Sequence, residues 1–76
     1  MFAIIKIMKL YIARDENGLI AIYKRKPYKK YDVFTKSWHW HIDNSSGDYM
    51  CLLDSYFPEV TFKNSPQEIE LKLVNQ

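Results

Sequence analysis

Apolar and polar residues alternate with a period of two through much of this chain, which is the spacing of a strand with one covered face. From Met8 onward Leu10 and Ile12 alternate with Lys9, Tyr11 and Ala13. Asp15-Glu16-Asn17-Gly18 interrupts the pattern with turn chemistry, since Asn-Gly supplies the positive φ values of a tight hairpin. Leu19 to Tyr23 reads as the returning strand. Lys26-Pro27 closes that strand, because proline brings no N–H to a ladder and restricts the residue before it.

Tyr28 to Thr35 reads as either an irregular connection or a short edge strand. Ser37-Trp38-His39-Trp40-His41-Ile42 alternates and is rich in β-formers. Asp43-Asn44-Ser45-Ser46-Gly47-Asp48 is turn chemistry and Tyr49-Met50-Cys51-Leu52-Leu53 returns, which predicts a second hairpin. Asp54 to Pro58 suggests a turn, or one helical turn capped by Asp54. Val60-Thr61-Phe62 suggests a short strand. Ser65-Pro66-Gln67-Glu68 resembles a helix start, but Ile69, Leu71 and Leu73 alternate with Glu70, Lys72 and Val74, and a strand fits them better. The expected fold is all-β, or β-dominated with one short helical turn. It is a small antiparallel meander of five to six strands, forming a curved sheet or open barrel.

Seventy-six residues fill one core and no more, so residues 1–76 form one domain. The 47% apolar and 16% aromatic content makes that core feasible, because each large ring removes about 150–250 Å² from water. A single cysteine, Cys51, precludes an internal disulfide and favours a reducing compartment. The apolar opening is interrupted by Lys6 and Lys9 and lacks a basic stretch ahead of it, unlike a signal peptide. No run approaches the ~20 apolar residues of a membrane span. A cytoplasmic protein with no membrane association is expected.

The net charge of +2 conceals an asymmetry. Residues 1–31 hold eight Lys/Arg against two acids, a net +6, whereas residues 32–76 hold three against seven, a net −4. Lys24, Arg25, Lys26, Lys29 and Lys30 form a cluster flanked by Tyr23, Tyr28 and Tyr31. Cations interleaved with rings suit single-stranded nucleic acid. Lysines on an edge strand also deter aggregation, and a basic patch also attracts acidic proteins.

His39 and His41 share one strand face, about 7 Å apart by strand geometry, and form a candidate metal site. Cys51 is the obvious third ligand. If Asp43 pairs with Asp48, however, Cys51 lies opposite Trp40 on the tryptophan face and becomes a small buried hydrophobe. Asp32, Asp43 and Asp48 remain as alternative ligands. Trp38 and Trp40, on the other face, are expected to be core. Ser45, Ser46 and Ser55 lack a nucleophile-elbow context, and the chain lacks a phosphate-cradling glycine loop. Asp54 and Glu59 read as a cap and a solvated acid rather than a catalytic pair. No catalytic residue, cofactor site or small-molecule substrate is expected.

The segments Lys9-Leu10-Tyr11-Ile12-Ala13-Arg14-Asp15, Gly18-Leu19, Lys26-Pro27, Leu53-Asp54, Phe57 to Phe62 and Asn64 to Leu71 resemble a group of short uncharacterised proteins of gut bacteria and their mobile elements. The resemblance omits residues 28–50. It implies a compact β domain and no activity, and it suggests Met8 as the natural start, with residues 1–7 a dispensable extension. The resulting expectation is a non-catalytic interaction module binding protein or itself, with single-stranded nucleic acid binding through residues 23–31 as the alternative.

Overall fold

A computed structural model of the chain describes residues 4–43 and 48–75, with side chains for residues 8–43 and 48–71. It contains six strands: β1 (Ile4–Arg14), β2 (Ile20–Tyr23), β3 (Tyr28–Asp32), β4 (Ser37–His41), β5 (Tyr49–Leu52) and β6 (Gln67–Asn75). All pairings are antiparallel, and they form a four-stranded sheet of order β5-β2-β1-β6 and a two-stranded sheet of β3 and β4. No helix occurs among the described residues, and none is long and apolar enough to cross a membrane. The all-β antiparallel class expected from the sequence is what forms. The larger sheet does not close into a barrel.

The first hairpin forms as expected. Arg14 pairs with Ile20 across the intervening turn, and Asp15 N–H donates to the Leu19 carbonyl. Gly18 alone supplies the positive φ, at 97°, while Asn17 contributes its side chain, accepting from Leu19 N–H. β1 begins at Ile4 rather than near Met8, and its first nine residues pair with β6, from Ile4–Asn75 to Ile12–Gln67. The alternation of residues 69–74 therefore prevails over the helix-start signal at Ser65.

The second hairpin differs from expectation. β4 pairs with β3, placing Trp40 opposite Lys29 and Trp38 opposite Tyr31. β5 instead adds to β2, with Cys51 opposite Ala21. Residues 44–47 of the expected turn, including Ser45 and Ser46, lie outside the described residues. Residues 53–66 form successive turns with no strand at Val60–Phe62 and no helical turn at Asp54. Their backbone closes locally, Tyr56 donating to Leu53, Val60 to Phe57 and Ser65 to Phe62.

Alternation along β1 gives the sheet two faces, each with its own cluster. On one, Ala13, Ala21 and Tyr23 pack against Trp40 of the smaller sheet and Ile42 just beyond it, with Tyr11 and Phe62 beside them. On the other, Ile12 and Ile20 meet Val60 from the 53–66 segment, flanked by Leu52 and Ile69. Arg14 joins these layers. Its Nε donates to the Val60 carbonyl (2.6 Å), Nη1 to Gly18 (2.6 Å) and Asp54 (3.1 Å), and Nη2 to Tyr56 (2.9 Å) and Phe57 (3.2 Å). Guanidinium has five N–H donors, so every one is placed on a backbone carbonyl. The same bonds anchor Phe57, a bulky residue held at φ 53°.

Candidate functional site

β4 is fastened to the first hairpin by side chains of its turn. Asp15 accepts from Trp40 N–H at Oδ1 (2.8 Å) and contacts His39 Nδ1 at Oδ2 (2.9 Å). Glu16 N–H donates to the Trp38 carbonyl, and Glu16 Oε1 accepts from Trp38 N–H (3.1 Å). Trp40 Nε1 donates to the Arg14 carbonyl (3.0 Å). One edge of β4 is thereby consumed, and β3 is held outermost with all of Tyr28, Lys29, Lys30 and Tyr31 exposed.

The basic cluster does not act as one patch. Arg25 Nη2 donates to Asp48 Oδ2 (2.8 Å) and to the Asp43 carbonyl. Tyr28 donates its hydroxyl proton to Asp43 Oδ1 (2.9 Å), and this bond raises its pKa above the usual phenol value. Lys29 Nζ lies over the rings of Phe62 (5.2 Å) and Trp40 (5.8 Å). Tyr23 is buried and donates to the Trp40 carbonyl (3.4 Å); burial first, and then the Asp15 carboxylate, push its pKa well up. Lys24 and Lys30 border different surfaces, Lys24 beside Met50 and Lys30 beside His39. Lys26 is exposed in the link to β3.

The tryptophans part company. Trp40 is core, but Trp38 is 41% exposed and meets Tyr31 edge to face at 5.2 Å. Tyr28 meets His41 likewise at 5.6 Å. At the hairpin tip Val33 is exposed and Phe34 stands 93% clear of the protein. Asp32 Oδ1 holds this tip by accepting from Phe34 N–H (2.8 Å) and Thr35 N–H (3.4 Å), and Lys36 takes the left-handed turn position at φ 55°.

His39 and His41 do share a face, beside a depression bordered by Lys30, Asp32 and Phe34. They are partly covered rather than solvated. His39 has both nitrogens engaged: Nδ1 with Asp15, and Nε2 with Ser37 Oγ (2.9 Å) and Thr35 Oγ1 (3.1 Å). Among the described residues no three His, Cys, Asp or Glu side chains converge as a metal site. Cys51, expected to be buried, is exposed, because its strand pairs with β2 and not with the tryptophan strand.

The Asp15–His39–Ser37 chain has the connectivity of an acyl-transfer relay, a grouping that sequence spacing did not reveal because Asp15 lies 24 residues from His39. Ser37 Oγ is also bound to Thr35 Oγ1 (2.8 Å), and the depression beside His39 does not include Ser37 on its lining. The arrangement serves as a clasp: it orients His39 and secures β4 to the turn. Comparison with family models, with curated proteins and with solved structures finds no match to this chain.

Proposed function

We propose that this chain is a non-catalytic module that binds another protein through the β3–β4 hairpin. One observation carries the reading: on a hairpin fastened to the sheet along β4, Tyr31 and Trp38 stand exposed edge to face, and Val33 and Phe34 stand exposed at its tip. Large rings on a fixed support are the residue types that dominate protein interfaces. An exposed cysteine without a partner in the chain fits the reducing cytoplasm as its setting.

The competing reading is single-stranded nucleic acid binding along Lys24, Lys26, Lys30, Tyr28 and Tyr31. It draws support from the exposed lysines and tyrosines. It is weakened by the commitment of Arg25, Lys29 and the Tyr28 hydroxyl to internal partners.

The test is affinity capture from bacterial extract with the wild-type chain and a Phe34→Ser, Trp38→Ser variant, with and without nuclease, beside titration of labelled single-stranded RNA. A protein retained by the wild type, lost by the variant and indifferent to nuclease supports the hairpin. Tight RNA binding with a log–log salt slope of about −2 or steeper, three phosphates at roughly −0.7 each, replaces it with the nucleic acid reading.

A further inference from the structure

The two sheets present three strand edges to solvent, and the chain treats them differently. β6 carries Glu68 and Glu70, and β3 carries Lys29, Lys30 and Asp32. Charges of this kind deter a second strand from adding. β5 reads Tyr49-Met50-Cys51-Leu52, with no charge and no proline, and Tyr49, Met50 and Cys51 are exposed. Among the described residues nothing pairs with its outer side.

The hydrogen-bond phase of β5 follows from one contact. Lys24 N–H donates to the Asp48 carbonyl (2.9 Å), so Lys24–Asp48 continues the β2–β5 ladder as a hydrogen-bonded pair. Alternation makes Ile22–Met50 and Ile20–Leu52 the next such pairs. The backbone groups of Met50 and Leu52 are thus spent on β2, and those of Tyr49 and Cys51 point out of the sheet. Met50, 61% exposed, also borders an open apolar groove of about 530 Å³ with Met8, Leu10, Ile22 and Leu71. Val60 covers the other end of this face and leaves this end bare.

We propose that β5 is a self-association edge, at which two copies pair antiparallel with Met50 opposite the partner's Met50. The two-fold axis then runs normal to the sheet. Tyr49 and the partner's Cys51 exchange two N–H···O bonds, and the symmetric pair exchanges two more, using outward groups only. Both grooves fall on the same side of a continuous sheet and meet at the methionines. The occupant is a second copy because charge selects it: β5 meets β5 with no charge on either strand, whereas β3 paired with itself sets lysine against lysine. This surface is separate from the hairpin, so either proposal can fail alone.

The experiment is sedimentation equilibrium of the full chain from micromolar to millimolar concentration, with oxidative cross-linking of single-cysteine variants. A reversible dimer is expected, weakened about a hundredfold by Met50→Lys, which opposes two like charges at the axis. Cys51→Pro deletes an outward N–H and no β2 bond, and abolishes the dimer. Phe34→Ser leaves it intact. In a Cys51→Ser background, Met50→Cys cross-links rapidly, since a directly opposed non-hydrogen-bonded pair lies about 4.5 Å apart between Cα atoms, inside the disulfide range. Native Cys51 sits diagonally from its mate at about 7–8 Å and cross-links slowly. The Met50→Cys variant adds neither charge nor proline, so it decides the matter where a disruptive variant unfolds. A monomer at every concentration overturns the proposal. So does a dimer indifferent to Met50→Lys and Cys51→Pro, or Cys51 cross-linking faster than Met50→Cys.

Discussion

Replacing Arg14 by lysine keeps the charge and discards the fork, and the structure sets the cost. The guanidinium bonds to Gly18 and Val60 carbonyls are partly buried, and those to Asp54, Tyr56 and Phe57 are exposed. Taking about 1.5 kcal/mol for each partly buried bond and about 0.5 for each exposed one, the whole set contributes about 4–5 kcal/mol. A domain of this length has about 4–11 kcal/mol in total, so Arg14→Ala should largely unfold it. Lysine carries three donors on one nitrogen and cannot reach carbonyls arrayed around a planar fork. It should recover about half, leaving a loss of about 2–3 kcal/mol. For a chain of this size that lowers the melting temperature by about 10–20 °C.

The loss should also be local. Residues 53–66 have no strand of their own and are tied to the sheet by Arg14, by Val60 packing and by the Ser65 hydroxyl accepting from Arg14 N–H (2.8 Å). Thermal melts of Arg14→Lys should therefore be run beside limited trypsin digestion, reading cleavage after Lys63. Faster cleavage at Lys63 below the melting transition is expected. A melting temperature within a few degrees of wild type, with Lys63 cleavage unchanged, would refute the reasoning.

Trp40→Ala should cost about 3–5 kcal/mol in a urea melt, whereas Trp38→Ala should cost about 1 kcal/mol or less; equal costs would restore the view that both rings are core. Tyr23 keeps its proton in the folded state above the usual phenol range, so the unfolded chain releases a proton first as pH rises. Stability should thus be complete below about pH 10 and fall above it by about 1.4 kcal/mol per pH unit, a fall that Tyr23→Phe should flatten in alkaline melts. A chain beginning at Met8 loses the ladder pairs from Ile4–Asn75 to Ile7–Lys72 but keeps every buried residue of both clusters. Its melting temperature should fall by only a few degrees, and loss of a cooperative transition would show that the β1–β6 ribbon is indispensable.

What local pattern revealed, and what it did not, follows the distance over which each choice is made. The Asn17-Gly18 turn and the alternation of residues 69–74 are local and were legible, as was the all-β class they imply. Strand pairing is a competition between distant segments. Ser37–His41 had two possible neighbours, Tyr28–Asp32 before it and Tyr49–Leu52 after it. Joining it to Tyr28–Asp32 closes only residues 33–36, with Asp32 accepting from the tip N–H groups, and a shorter loop costs less entropy to close. Tyr28–Asp32 was ambiguous because a strand exposed on nearly every residue has no apolar alternation to betray it. Alternation likewise offered Trp38-His39-Trp40 an aromatic face but no means of covering it evenly. The clasp of Asp15 on Trp40 N–H and His39 acts across 25 and 24 residues and draws the Trp40 end of β4 against Ala13, Ala21 and Tyr23. Trp38, two residues earlier on β4, belongs to neither buried cluster, meets Tyr31 edge to face and stays exposed. The hairpin's exposed aromatic surface is thus a by-product of how β4 is held: two residues' difference along one strand separates a core ring from one left open to solvent.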